Sequence, residues 1–196
     1  MSTVSSTTVR CPRCGESSSF DIYQSINAAE SPELKEKIVN GDIFVHECPH
    51  CGHRQIVKYN VLYHDPAEKV IICLSDTLFH SDGMEGYCCR LTSDAGSFIE
   101  KVKIFDAGLD DLAVEMCKYV TKGEMEKDVD LKFFKFDGAD NEITLTYPEN
   151  GQMQMIQIGF NVYEDCAGII RRNPALREAA SGMVRLDQEW LGRFFK

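Results

Sequence analysis

The sequence predicts an α+β protein: a small antiparallel β unit with a short helix inserted in it, then helices, then an antiparallel β meander. Three observations carry this reading. The five-residue words Cys11-Pro12-Arg13-Cys14-Gly15 and Cys48-Pro49-His50-Cys51-Gly52 differ at one position, and 33 residues lie between Cys14 and Cys48. Short alternating segments stand beside both words, as strands would. Beyond Asp130 the chain becomes β-rich, and its segments are parted by Asp137-Gly138 and Asn150-Gly151, which are turn dipeptides.

Length and composition set the frame. A chain of 196 residues holds one large or two small domains. Its hydrophobic share of 43% and charged share of 27% are ordinary for a globular protein, so a real core is expected beside any metal. The longest apolar run, residues 70–74, is far short of a membrane span, and no membrane partner is expected. Residues 1–9 are polar and rich in Ser and Thr, without the charged start and apolar stretch of an export signal. They read as a flexible, disordered arm, and the expected location is a reducing, cytoplasmic compartment. There, CxxC pairs favour metal over disulfide. The other five of the nine cysteines, Cys73, Cys88, Cys89, Cys117 and Cys166, read as small buried apolar residues.

The elements follow in order. Residues 18–25 alternate loosely, with Phe20 and Ile22, as a strand. Ser31-Pro32-Glu33-Leu34 starts a helix, Leu34 and Ile38 share a face, and Asn40-Gly41 closes it. Residues 42–47 read as a strand entering the second word. Residues 53–63 alternate with Val57, Tyr59, Val61 and Tyr63 on one face, His64-Asp65-Pro66 turns, and residues 70–74 return as a hairpin partner. A further strand fits 87–91. Residues 98–105 suit helix and strand equally by pattern, and a capping box, Ser97-Phe98-Ile99-Glu100, decides for helix. Gly108 breaks it. Asp110 caps a second helix with Leu112, Met116, Tyr119 and Val120 on one side, ending at Lys122-Gly123. Residues 131–136, 142–147 and 153–160 read as three strands. Val162, Cys166, Ile169 and Ile170 have helical spacing up to Asn173-Pro174, and Asp187 caps a last helix burying Trp190, Leu191 and Phe194. The organisation expected is a flexible arm over 1–9, a first domain over 10–122 and an α+β portion over 123–196. One continuous fold is equally compatible, and any sharper boundary is expected between Ser75 and Tyr87.

Cys11, Cys14, Cys48 and Cys51 are the expected metal ligands. Zinc takes four thiolates in a tetrahedron, and each CxxC turn brings two sulfurs to one ion. The proline stiffens the turn by fixing its own φ, and the glycine tolerates the positive φ that returns the chain under the metal. The arrangement is that of a zinc ribbon with an unusually long spacer, whose length the inserted helix and strands use up. Iron is the alternative, since rubredoxins also use paired CxxCG turns.

These words, together with Ser25-Ile26-Asn27, Ser31-Pro32-Glu33-Leu34, Gly41, Glu100-Lys101 and Gly108-Leu109-Asp110-Asp111, resemble the CpXC domain proteins of prokaryotes, to about Lys122. The resemblance implies that the four cysteines are ligands and supplies no catalytic residue.

Other groups have plainer readings. His46, His50 and His53 read as exposed polar residues of the second knuckle, with support of the metal ligands as the functional alternative. Asp106, Asp110, Asp111 and Glu115 read as acids at a helix start, favoured by its dipole, against a hard-cation or acid–base site. His64-Asp65 reads as a turn rather than a dyad. Phe44, Tyr59 and Tyr63 read as core rather than base-stacking surface. No phosphate loop, nucleophile elbow or HExxH word is present. The net charge is −10, with most of the acidity beyond Val70, which disfavours nucleic acid. The basic residues near the knuckles are only Arg10, Arg13, His50, His53, Arg54 and Lys58. The expected role is therefore protein interaction without catalysis. A nucleic-acid-associated ribbon stands second, and an iron redox protein or an acidic-cluster enzyme behind it.

Overall fold

The computed structural model describes residues 2–77 and 84–195. The chain forms two compact units, Met1–Ile99 and Glu100–Lys196. Part of the stretch where a sharp boundary was expected, residues 78–83, lies outside the described residues.

In the first unit, β1 (Thr3–Arg10) pairs antiparallel with β2 (Ser17–Asn27), closing at Arg10↔Ser17 with the first cysteine word at the tip. The segment expected to be a disordered arm is thus a strand. Its polarity misled: Thr and Val stiffen a strand, and one with few neighbours needs no apolar majority. Helix α1 (Pro32–Asn40) buries Leu34 and Ile38, and Gly41 ends it at φ +81°, donating its N–H to the Ile38 carbonyl. The expected strand over 42–47 begins instead as a 3-10 turn, Asp42–Phe44. This turn buries the consecutive residues Ile43 and Phe44, which an alternating strand could not place on one side. Only Val45–Glu47 is strand (β3), antiparallel to β4 (Arg54–Ile56), with the second cysteine word between them.

The chain then forms β5 (Val61–Asp65) and β6 (Val70–Leu74), an antiparallel hairpin, and β7 (Cys88–Thr92). Strands of the first unit lie in the order β1-β2-β5-β6-β7. β2 with β5 and β6 with β7 are parallel, so the sheet is mixed. β6 is buried at all five residues, as a strand covered on both faces should be. Ile26, Ile38, Phe44, Tyr63, Ile72 and Phe98 form the interior of this unit.

Helix α2 (Ala95–Asp106) begins in the first unit and ends in the second. Its cap is not the expected box at Ser97. Asp94 accepts the Ser97 N–H at 2.8 Å and the Ser97 hydroxyl at 2.7 Å. The helix therefore starts before Ser97, and Glu100 is free to turn inward.

The second unit is α+β as expected. Gly108 (φ +69°) separates α2 from α3 (Asp111–Met125). Asp110 caps α3, taking the Leu112 N–H at 3.0 Å. The helix passes the expected stop and ends at Glu126, φ +52°. A meander follows: β8 (Lys132–Asp137), β9 (Glu142–Glu149) and β10 (Gln152–Gly159), in the order β10-β9-β8. Next come α4 (Phe160–Arg172), α5 (Pro174–Ala179), the short β11 (Met183–Val184) and α6 (Gln188–Leu191). Asp187 accepts the Trp190 N–H, as expected, but α6 is one turn long. It buries Leu191 only, while Phe194 is 47% exposed. Helix α3 stands between two apolar clusters. Leu112, Met116 and Cys117 join Cys166, Ile170 and Leu191, and Val114 joins Leu131, Phe133, Ile143 and Leu145. That double packing buries α3 from Asp111 to Lys118 without a break.

Candidate metal centre

Each cysteine word is a knuckle at the tip of a hairpin, and the two are built alike. Cys11 donates its N–H to Glu16 O at 2.8 Å and accepts the Gly15 N–H at 2.9 Å. Cys48 donates to His53 O at 2.9 Å and accepts from Gly52 at 2.9 Å. Gly15 and Gly52 hold φ of +78° and +68°, where a side chain is strained. The first cysteine of each word is buried, Cys14 is exposed and Cys51 lies between.

The four sulfurs all lie within 4.8 Å of one another. Cys11 Sγ is 3.6 Å from Cys51 Sγ, and Cys14 Sγ is 3.6 Å from Cys48 Sγ. A disulfide needs about 2.05 Å. Four thiolates at about 2.3 Å from one tetrahedral ion stand about 3.8 Å apart. The spacing therefore fits a shared metal ion and not a bonded pair.

The electrostatics agree. Burial works against ionisation of Cys11, but the Cys14 and Arg13 N–H groups and the neighbouring thiols aim at its sulfur and bring it down to about 6. At Cys14 the Glu16 N–H favours the thiolate, yet burial and the other three sulfurs prevail and push it up to about 12. Cys51 is likewise raised: the His53 N–H opposes, and burial with Cys11 and Cys48 outweighs it. Gathered thiols can share one negative charge among themselves; four thiolates need a cation in their midst.

The knuckle histidines divide. His50 is exposed and His53 partly so. His46, expected to be exposed, is buried: Nε2 meets Ser18 Oγ at 2.8 Å, and the ring stands edge-on to Phe20 at 5.7 Å. It braces β3 against β2. The serine two residues before Phe20 was the one sequence hint. Phe44 and Tyr63 are interior, as expected, whereas Tyr59 is half-buried, with its ring against Phe44 and its hydroxyl donating to Ile43 O at 2.8 Å. His64 and Asp65 point apart. His64 Nε2 meets the Tyr87 hydroxyl at 3.3 Å, whereas Asp65 accepts from Tyr63 OH and the Ala67 and Glu68 amides.

The acidic group of the second unit is dispersed. Asp106 is exposed, and Asp110 caps α3 and pairs with Arg177. Asp111 and Glu115 face inward, into a network with two lysines that sequence reading passed over. Lys101 Nζ lies 3.1 Å from both Asp111 and Glu115. Lys118 Nζ lies 2.8 Å from Glu115 and 2.9 Å from Glu100. Glu100 also accepts the Phe133 N–H at 2.7 Å. The two lysines outweigh burial and hold Glu115 down at about 2. Among the described residues, the four cysteines are the one group of three or more His, Cys, Asp or Glu side chains placed to hold a metal ion.

Two hairpins, each tipped by a CPxCG knuckle and meeting through four sulfurs, define a protein built on a paired-knuckle centre placed to hold a metal ion. The family model described as CpXC protein matches residues 9–118, more than half of the chain and both knuckles. The chain belongs to the CpXC protein family. No curated protein and no solved structure matches it. No helix among the described residues is long and apolar enough to cross a membrane.

Proposed function

We propose that Cys11, Cys14, Cys48 and Cys51 bind one zinc ion as a structural staple, and that the chain acts by binding another protein, without catalysis, in the cytoplasm. The observation that carries the reading is the closed arrangement of four sulfurs within 4.8 Å. A catalytic zinc site keeps a position for water or substrate, and four thiolates leave none. The staple ties the β1–β2 hairpin to the β3–β4 hairpin, and so fixes two short ribbons that are marginal alone. The net charge of −10 supports a protein partner over nucleic acid, whose phosphates it would repel.

Elemental analysis with a visible spectrum tests the staple. One zinc per chain in a colourless protein supports it. Iron with visible bands that bleach on reduction, or less than a tenth of an equivalent of any metal, overturns it. Titration with a mixed DNA and RNA pool at low salt tests the partner class. Salt-sensitive binding there would replace the protein-partner reading with a nucleic-acid one.

A further inference from the structure

The first unit holds a groove between two strands that do not pair with each other. β2 and β3 belong to separate sheets, and the groove lined by both measures about 430 Å³. Ser19, Asp21 and Tyr23 line it from β2, and Val45 and Glu47 from β3. The ladders explain this choice of residues. Cys11 donates its N–H to Glu16 O, and the β1–β2 register continues from there, alternating bonded and non-bonded pairs. Val9↔Ser18 and Thr7↔Phe20 are bonded pairs. Ser19, Asp21 and Tyr23 fall at the non-bonded positions, so their backbone groups point away from β1. The Tyr23 N–H accordingly acts on the Tyr59 hydroxyl. The second knuckle sets the same phase in β3. Cys48 donates to His53 O and Phe44 O accepts from Val57, so Val45 and Glu47 turn their backbone groups away from β4. β5 covers the β2 edge only from Ser25 to Asn27. Two open edges thus line one groove.

Shape and charge say what the groove takes. Open edges are completed by an extended backbone, as in β-strand addition. Asp21, Asp42 and Glu47 bring three carboxylates to the lining, against one ammonium, that of Lys37. Among the described residues neither Asp21 nor Asp42 has an ion pair. Asp21 accepts the Ser6 hydroxyl, and Glu47 meets Arg54 at 4.0 Å, with side chains 66% and 64% exposed. The three carboxylates are not gathered as a metal group. The cation that complements them is therefore spread along a chain, as basic side chains are. β2 also sets a pattern. Phe20 turns to one face, against His46 and Tyr59, and Asp21 to the other, beside Ser6. A neighbouring strand shares that alternation, so apolar residues fall beside Phe20 and basic ones beside Asp21.

We propose that this groove binds an extended segment of another protein, with basic residues alternating with apolar ones, added as a strand along Ser19–Tyr23 of β2. The inference rests on the protein-partner reading above and gives that partner a chemical class. The net charge of −10 draws such a segment in from a distance. Backbone bonds to the open edge supply affinity, and the carboxylates select the charge. Four residue steps from Ser19 to Tyr23 cover about 13 Å, so about five residues of the segment span the edge. A second copy does not supply this pattern. β8 is the one described strand with two basic residues, and its Lys132 and Lys135 already pair with Glu100, Asp130 and Asp137 of their own chain.

Fluorescence polarisation of the labelled peptide Lys-Val-Lys-Val-Lys-Val-Lys with the full chain, at about 0.15 M salt, tests it. Saturable binding is expected. Ser19→Pro removes an N–H that faces away from β1 and so spares the ladder. It is expected to weaken binding at least roughly tenfold, with unchanged metal content and circular dichroism. Asp21→Lys with Asp42→Lys is expected to do the same through charge alone. No saturable binding up to about 500 μM, equal binding of Glu-Val-Glu-Val-Glu-Val-Glu, or binding that both variants leave unchanged would each overturn the proposal. A wild-type dimer that Ser19→Pro abolishes would also overturn it, since a second copy would then hold the groove. Failure here is distinct from failure of the protein-partner reading: a peptide that does not bind removes the groove alone, whereas salt-sensitive binding in the nucleic-acid titration above removes that reading.

Discussion

Replacing Lys118 by Met tests the energetics of the second unit most sharply. The side chain is 3% exposed, and its ammonium lies 2.9 Å from Glu100 and 2.8 Å from Glu115, themselves 4% and 2% exposed. Methionine fills much of the volume, so the change removes charge rather than packing. Two carboxylates lose their shared cation while the chain still buries them. Glu115 keeps Lys101 at 3.1 Å and a 2.9 Å bond from Gln188, and Glu100 keeps the Phe133 amide, so neither is stranded outright. Removing one partner of a buried pair costs about 3–5 kcal/mol. The depression of Glu115 from its ordinary value near 4.5 to about 2 gives a matching scale, roughly 3 kcal/mol. At about 2–4 °C per kcal/mol the midpoint should fall by about 10 °C. Trp190, the only tryptophan, stands two residues from Gln188 and reports this unit, so urea unfolding followed by its fluorescence is the assay. A cycle with Glu115→Gln isolates the pair and should show coupling of about 1–3 kcal/mol. The pH dependence has a fixed sign. The folded value of Glu115 lies below the unfolded one, so its contribution is complete above about pH 4.5 and is lost as pH falls towards 2. If Lys118→Met costs under about 1 kcal/mol, or the cycle shows no coupling, the network is not held by these charges.

Three further outcomes follow from the first unit. Cys51→Ser or Cys14→Ser should weaken metal retention against a chelator by roughly tenfold or more and loosen the two hairpins, because metal binding is part of their folding; unchanged metal content and melting in both would refute the shared site. His46→Ala should cost about 1–3 kcal/mol in urea melts through the lost Ser18 bond and Phe20 contact while leaving metal content unchanged, and a fall in bound metal would make His46 a ligand. Asp94→Ala should cost about 1 kcal/mol and Ser97→Ala less, since the cap of α2 is Asp94; the reverse order would restore the box at Ser97.

The sequence made the knuckles legible because their chemistry is local. Two cysteines, a proline and a glycine within five residues specify a turn and its donors, whatever surrounds them. Gly41, Asp110, Asp187 and the Asn150-Gly151 turn were readable for the same reason: each acts within a few residues of itself. What failed depended on distant partners. Residues 3–10 look disordered until β2 lies beside them. Ile43 and Phe44 read as strand until a core demands both on one side. Ser97 and Glu100 spell a capping box, yet Glu100 is taken by Lys118 and the Phe133 amide. No local pattern announces that Lys101, on α2, will meet Asp111 and Glu115 on α3.

The cysteine centre and the buried ion network answer one electrostatic problem in different ways. Like charges gathered away from water need a counter-charge within a few ångströms, or they neutralise by taking up protons. The carboxylates of Glu100, Asp111 and Glu115 find it in the chain itself, in Lys101 and Lys118, and Glu115 stays ionised down to about 2. The groups that act most on the sulfurs of Cys11, Cys14 and Cys51 are backbone N–H groups and the other thiols, with no ammonium or guanidinium among them, and Cys14 is pushed up to about 12. An acidic cluster that brings its own cations has no call for an imported one. That is why Asp111 and Glu115, two of the four acids the sequence offered as a second candidate site, need no imported cation, and why the cysteines are the group that calls for a metal.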